Sequence, residues 1–512
     1  MLSILSIVAL ALVAWAVHYA VTSALHARRA RQWGCRAPPF KGHNWFLGVD
    51  NVLAMDKADK ACQLPQFLYD EHVEMGCSTF AEGFIGDVFI TYEPKNIQAI
   101  LATQFQDFEI GQRRRGALLP LLGDGIFTTD GQMWEHSRSL LRPQFARDQI
   151  ADLTLEQRHV EDMFKCFNMV DGWTSLDLAP VFFRFTMDSA TEFLFGQSTH
   201  TQAAYAASSR GEKNVGEFQW ADIGTRFDRG TYAIGVRARM ADVYWLYYPK
   251  SFREDIREIH RFADACIADG MNRAKTSAPE KTAERYVFLD ELLKATNDPV
   301  EIRSQLLNIL LAGRDTTAGL LGWTFWNLTR HPDVYQKLRT AIVEEFGTYD
   351  SSKAITFTQL KACSYLQYVM METLRLFPSV PANARLATRN TTLPYGGGPD
   401  GSSPVYVKKG QEVTYSVYVM HRRREIWGSN ADEFVPERWI GRKLGWEYLP
   451  FNGGPRVCLG QQFALTEAGY VITKILQRFD KIEKTDPSDV QWHNYNTTSA
   501  PKRVLVRMHQ AS

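Results

Sequence analysis

The sequence predicts a single large domain built around one long helix and carried behind one N-terminal transmembrane helix. Three observations lead there. Residues 2–25 are apolar apart from small hydroxyls and the pair His18-Tyr19, and about 20 apolar residues suffice to span a bilayer. Residues 297–330 carry the marks of one long helix. No Pro/Gly/Ser-rich linker, repeat or charge block divides residues 40–505, so the roughly three domains that length alone suggests reduce to one.

In the N-terminal segment, Arg28, Arg29 and Arg31 follow the apolar run at once, and nothing basic precedes it. By the positive-inside rule this is a single-pass anchor whose C-terminal side faces the cytosol. A cleaved signal peptide would want a basic leader and a shorter apolar core. Residues 26–40, basic and ending in Ala37-Pro38-Pro39-Phe40, read as a stiff hinge. The folded body is expected over 41–512.

Charge excludes some partners. With 58 Lys+Arg against 57 Asp+Glu the net charge is +1, which argues against nucleic acid or a polyacid engaging the whole surface. The seven cysteines are scattered, with no C-x-x-C pair. That pattern reads as reduced, cytosol-facing thiols and offers no zinc cluster.

The long helix starts at Asp298 as N-cap, with Pro299 in the first turn and Glu301 expected to close a capping box. It should run to about Arg330, halted by Pro332. At about 1.5 Å per residue it would extend near 48 Å. Its middle reads Ala312-Gly313-Arg314-Asp315-Thr316-Thr317. A helix-interior glycine costs about 1 kcal/mol against alanine, so Gly313 should return a benefit: room beside the helix for a diatomic molecule. The Thr316 hydroxyl can bond the i−4 carbonyl or a water, and Asp315 beside it can relay protons. An ordinary solvated helix face is the other reading of such a run.

Cys458 stands in the run Phe451-Asn452-Gly453-Gly454-Pro455-Arg456-Val457-Cys458-Leu459-Gly460. A lone thiolate can be the axial ligand of haem iron, where its electron density favours O–O cleavage. Gly454 and Gly460 let backbone N–H groups approach the sulfur. Phe451 can shield it from water, and Arg456 can hold a propionate. For an isolated cysteine the alternative is a buried free thiol.

These ten residues match F-x-x-G-x-R-x-C-x-G, and the helix matches A/G-G-x-D/E-T-T/S. Through these motifs the chain resembles the cytochrome P450 family, microsomal type. The resemblance implies a mainly α fold with a small β region, haem b with Cys458 as the iron ligand, Thr316 as the oxygen-side hydroxyl and Asp315 as the relay acid. Leu310, Leu311 and Ala312 stand where one subgroup carries a haem-linking glutamate, so non-covalent haem is implied. Glu372-Thr373-Leu374-Arg375 would otherwise be an exposed i,i+3 pair. In the family this acid and base are buried and joined by a further arginine, here Arg438 in Pro436-Glu437-Arg438-Trp439. For the propionates the resemblance nominates Trp134 with Arg138, Arg385, and Arg456. His136 and the other histidines show no metal-ligand spacing.

FNGGPRVCLGQQFALTEAGYV, AGRDTTAGLLGWTFW, METLRLFPSVPANARLATRNTTLPYGGG and PLLGDGIFTTDG extend the likeness toward the fungal branch that hydroxylates n-alkanes and fatty acids at or near the methyl end. The implied function is NADPH- and O2-dependent hydroxylation of a long aliphatic, lipophilic substrate at the endoplasmic reticulum membrane. Oxidation of a polyketide or other specialised metabolite is the rival. A haem-thiolate gas sensor is a rival of another class, set against the Asp315-Thr316 pair. The aromatic-rich stretch 217–248 fits either a membrane-facing lipid entry or core. Arg113-Arg114-Arg115 fits either a carboxylate contact or a solvated run. No flavin or nicotinamide fingerprint is present, so a separate NADPH–cytochrome P450 reductase is implied, docking through Arg142, Arg147, Arg422, Arg423, Arg424 and Lys443.

Overall fold

The computed structural model describes residues 4–42, 49–83, 87–145, 152–212, 218–276, 286–495 and 498–511. Helix α1 spans Ile4–Gln32 and thus continues through the start of the segment read as a hinge. Nothing in the Ala-, Leu- and Val-rich run breaks it. Within it lies an 18-residue apolar run of mean hydropathy 1.8, none of it buried. At about 1.5 Å per residue α1 is near 44 Å long, more than a hydrocarbon core of about 30 Å needs. Its last turns are fastened to the body. His26 Nδ1 lies 3.0 Å from the Tyr406 hydroxyl, Trp33 packs on the same ring at 5.4 Å, and the Arg36 N–H donates to Pro404 O at 2.9 Å.

The β region is small, as the resemblance implies. Its main sheet contains β1 (Phe40–Lys41), β2 (Thr79–Gly83), β3 (Asp87–Thr91), β4 (Phe108–Glu109), β5 (Ala382–Ala387) and β6 (Glu412–Ser416), in the order β1-β2-β3-β6-β5-β4. β1 runs parallel to β2, and β3 parallel to β6; the other pairings are antiparallel.

The helices that position the site are α2 (Gly111–Leu122), α3 (Gly131–Leu141), α4 (Thr154–Lys165), α5 (Leu178–Phe195), α6 (Ile223–Arg239), α7 (Lys250–Thr276), α8 (Pro299–Leu328), α9 (Ser364–Leu376) and α10 (Gln461–Arg478). α8 is the expected long helix. Asp298 caps it by accepting from the Val300 N–H at 2.9 Å, but Glu301 does not close a box. Its carboxylate is taken instead by the Thr296 hydroxyl at 2.7 Å and by His136 at 2.6 Å. α8 is apolar on nearly every side, as a helix through a core must be. Around it, Phe182 and Phe185 of α5, Leu366 and Val369 of α9, and Val471 and Ile472 of α10 form one buried cluster with Leu321 and Trp323. Trp323 stacks flat on Phe377 at 4.2 Å.

Candidate active site

Between Ser304 and Leu328, every residue of α8 is buried except Ala312, Gly313 and Thr316. Ala312 and Gly313 lie four and three residues before Thr316, so the three form one open stripe on an otherwise enclosed helix. A Cβ added at Gly313 would meet nothing within 4 Å. The stripe therefore faces a void, as the helix-interior glycine predicts. Thr316 Oγ1 donates to the Ala312 carbonyl at 2.6 Å, and the Thr316 carbonyl accepts from Ser379 at 3.2 Å. Asp315 lies off the stripe, buried and bonded to Arg314 Nη1 at 2.9 Å. Burial, reinforced by Asp228 and opposed by Arg314, pushes its carboxyl up to about 6.

The cysteine loop is set by its glycine and its neighbours. Gly454 sits at φ +65°, and a Cβ there would fall 1.9 Å from the Leu101 carbonyl oxygen; only glycine fits. Gly460 is different. A Cβ there would make ordinary contact with Phe145 at 3.5 Å, so its value lies in its N–H, which bonds the Cys458 sulfur. The Cys458 N–H donates to Phe451 O at 3.0 Å, and Phe451 packs against the main core cluster. The Cys458 side chain is exposed, yet burial pushes its thiol up, while the Gly460 N–H and Arg138 pull it down. Both hold if the sulfur looks into an enclosed void rather than bulk water.

The loop before α3 joins the two halves. Arg456 donates to Thr129 O at 3.0 Å and to Asp130 at 2.7 Å, with the Trp134 ring 4.4 Å away. Arg138 donates to Val457 O at 3.1 Å. On the other side, Asn308 of α8 accepts from the Phe127 N–H at 3.1 Å, and Gln305 donates to Ser137 at 2.9 Å. The 123–130 loop and α3 are thus a shared wall between α8 and the cysteine loop.

That wall concentrates positive charge. Arg456 is pushed down to about 9 by burial and by Arg385, Arg114 and Arg138, with Asp130 opposing. Arg385 is buried and shares the Asn383 Oδ1 with Arg114, at 3.0 and 2.9 Å. Four guanidiniums around one nearby carboxylate make a site for a dianion, which the two propionates of haem would supply. With the open sulfur and the space over Gly313, the residues fit haem. Cys458 would hold the iron, and Arg114, Arg138, Arg385 and Arg456 the propionates.

Arg114 was not separable from its neighbours by sequence. The triplet divides three ways: Arg113 pairs with Asp242 at 2.6 Å, Arg115 with Asp124 at 2.8 Å, and Arg114 reaches Asn383. Asp130 was also missed; it accepts from Arg456 and from the Ile110 and Gly111 N–H groups, the latter two at 3.0 Å, and so ties the start of α2 to the propionate-side wall.

Glu372 and Arg375 are fully buried. Arg375 grips Glu372 through Nε at 2.9 Å and Nη2 at 2.8 Å. Arg438 Nε adds a bond at 2.8 Å, Trp439 Nε1 one at 3.1 Å and the Val435 N–H one at 3.0 Å. Nearby His421 was unmarked in the sequence. Burial, then Arg375, drives it down to about 3. Held neutral, its Nε2 accepts from the Leu449 N–H at 2.9 Å, pinning the approach to the cysteine loop.

Glu156 and Glu467 form a buried acidic pair. Glu156 of α4 has an Oε2 with no hydrogen bond among the described residues, and burial, then Glu467, pushes its carboxyl from 4.5 to about 8. Between those values the folded chain keeps a proton that the unfolded chain releases, so stability falls as pH rises. The loss is at most about 1.4 kcal/mol per pH unit. Glu156→Gln is therefore expected to raise the thermal midpoint, with no gain at pH 4.5 and a growing gain toward pH 8. Equal midpoints for the two proteins at pH 7.5 would contradict the assignment.

The family model for cytochrome P450 matches residues 86–507. A cytochrome P450 monooxygenase (g430) of a Fusarium species is 49% identical over 487 residues, covering 93% of this chain and 84% of the relative. The monooxygenase alt2 of Alternaria solani is 43% identical over 497 residues, covering 94% and 92%. Cytochrome P450 52A13 of Debaryomyces hansenii is 46% identical over 468 residues, covering 90% and 89%. With the family model matching most of its length and relatives at 43–49% identity over about nine-tenths of it, the chain belongs to the cytochrome P450 family of haem-thiolate monooxygenases.

Proposed function

We propose that this monooxygenase hydroxylates a long aliphatic chain, a fatty acid or n-alkane, at or near its methyl end. It would be anchored in the endoplasmic reticulum membrane and supplied with electrons from NADPH by a separate reductase. Bound haem supplies reductive activation of O2, so that one oxygen atom enters a C–H bond. The chain's own part is to orient and to handle protons: Thr316 presents a hydroxyl on the open stripe, and Asp315 is held near neutral titration beside it.

The observation that carries the lipid reading is an apolar lip. Val243, Trp245, Leu246 and Tyr248 are 45%, 62%, 61% and 43% exposed in one short segment. Such a patch marks a membrane or partner contact. The rest of the aromatic stretch divides, for Phe227 is fully buried in the core while Tyr232 is exposed; Glu217 lies outside the described residues. Arg237 fastens the lip to α2, donating to Tyr244 O and Tyr247 O and to Gly116 O and Ala117 O. A lipid leaving the bilayer at this lip would meet α2, the helix that carries Arg114.

The reductase face is narrower than the sequence suggests. Arg422 is buried under the Tyr418 ring at 3.6 Å, and Arg423 is tied to Glu93 at 3.0 Å. Arg147 lies outside the described residues. Arg142, Arg424 and Lys443 are exposed and remain as the basic contacts.

A second reading, oxidation of a polyketide or other specialised metabolite, is supported by the Fusarium and Alternaria monooxygenases, which are not named as 52A proteins and stand at 49% and 43% identity beside 46% for 52A13. Product analysis with purified reductase, NADPH, and saturated fatty acids from dodecanoate to stearate with matching alkanes separates the two. Terminal alcohols or diacids are expected. No lipid product, from protein with a normal thiolate spectrum, would transfer the assignment to specialised metabolites.

A further inference from the structure

The first arginine of the α2 triplet ends at the lip. Arg113 Nε and Nη2 meet the two carboxylate oxygens of Asp242, each at 2.6 Å, so the guanidinium fork grips the acid at both oxygens. Its third nitrogen, Nη1, lies 3.6 Å from Glu412 Oε2 of β6. The guanidinium therefore sits at the corner where α2, the lip and the main sheet converge. Both members of the pair are open to water, the Arg113 side chain 40% and the Asp242 side chain 65% exposed. Neighbouring guanidiniums are committed elsewhere. Arg115 holds both oxygens of Asp124 at 2.8 and 2.9 Å, Arg114 faces Asn383 at the propionate wall, and Arg239 pairs with Asp59 at 3.0 Å. Arg237 is buried among four backbone carbonyls.

The segment that carries Asp242 is strained. Ala241 before it has φ +47°, in the left-handed region that a residue with a Cβ rarely adopts. Val243 after it departs from helical dihedrals (φ −104°, ψ 16°) inside the short helix Ala241–Leu246. Such conformations persist where neighbours impose them. Here Arg113 holds Asp242, and Gly116 admits the Tyr244 hydroxyl, from which a Cβ would fall only 2.2 Å.

We infer that Arg113 anchors the carboxylate of a fatty-acid substrate, and that Asp242 keeps this place until substrate arrives. A fatty-acid head and the Asp242 side chain are the same chemical group, so an incoming acid can accept both N–H bonds as Asp242 gives them up. The exchange is nearly balanced, because exposed ion pairs contribute little and Asp242 is released into water. Glu412 keeps the guanidinium at the corner while its partner changes. Freed of Arg113, the lip can relax at Ala241 and open against α2, where an aliphatic chain would follow. A head held at the rim leaves the methyl end free to reach the space over Gly313. Terminal hydroxylation is then a consequence of where the acid is gripped. An uncharged chain has no head to hold and binds by burial alone.

The anchor rests on the lipid reading, so the test sets dodecanoate against its uncharged methyl ester in haem-loaded protein. The readouts are the substrate-induced spin-state shift of the haem and, with reductase and NADPH, the position of the new hydroxyl. Arg113→Gln is expected to raise the dissociation constant for dodecanoate about tenfold, to leave that for the ester unchanged, and to spread hydroxylation of the acid inward from the terminal carbon. Asp242→Asn is expected to do the opposite, tightening dodecanoate several-fold with the ester unchanged. Loss of a merely structural ion pair would not produce that reversal of sign. Equal changes for acid and ester, or weaker dodecanoate binding in Asp242→Asn, would overturn the anchor and leave the pair a simple clasp. Wild-type protein that responds to the ester and not to the acid would remove the anchor and keep the lipid reading. Response to neither, with a normal thiolate spectrum, would remove both.

Discussion

Cys458→Ala is expected to abolish the thiolate-type carbon monoxide spectrum and all oxygenase turnover. Cys458 is the one described cysteine whose side chain is exposed while burial still raises its thiol. Cys266, by contrast, is closed in the core and pushed up to about 12, beyond use as a ligand at neutral pH. The Cys458 sulfur has the Gly460 N–H and the Arg138 guanidinium to favour its anion, the support a metal-bound thiolate needs. Haem content should fall less steeply than the spectrum, because Arg114, Arg138, Arg385 and Arg456 remain to bind propionates. The checks are the reduced carbon monoxide difference spectrum and the haem-to-protein ratio of the purified variant. An unaltered spectrum would overturn the ligand assignment.

The second large effect is on folding. Glu372→Ala removes one carboxylate that five donors share: two from Arg375 and one each from Arg438, Trp439 and the Val435 N–H. Two guanidiniums, one fully buried and the other nearly so, lose their counter-charge. Stranding a buried charge costs about 3–5 kcal/mol, a large part of the stability of an ordinary domain. Little soluble, haem-loaded protein is expected, with a strongly lowered urea midpoint for whatever is recovered. The segment at stake runs toward the cysteine loop, since Arg375 also holds the His421, Ala431 and Glu433 carbonyls. A destabilisation below 1 kcal/mol, roughly that of an exposed ion pair, would show that the cluster is dispensable.

Both effects were legible in the sequence because their residues sit in short, fixed patterns. The thiolate loop, the acid-alcohol helix and the Glu-x-x-Arg pair each carry their chemistry within one turn or one loop. What could not be read depends on contacts between distant segments. Three consecutive arginines look alike until α2 is placed; then one faces Asn383 beside Arg385, and its neighbours face Asp242 and Asp124. Arg422 looks like its two exposed-seeming neighbours, but tertiary packing puts it beneath Tyr418. Glu301 had the spacing for a capping box and lost it to Thr296 and His136, the latter arriving from α3. Arg314 stood in plain view within a quoted motif, but its partner Asp228 comes from another helix.

The fastening of α1 to the Tyr406 hairpin bears on how turnover is organised in two dimensions. A rod of about 44 Å that is pinned at its foot by His26, Trp33 and Arg36 is a mast rather than a tether. On the membrane-anchored reading proposed above, the body could spin about the membrane normal but could not freely roll. Each molecule would then meet the bilayer with the same lip. Collisions with a membrane-embedded electron donor would become a planar search among pre-aligned molecules, governed by surface density rather than bulk concentration.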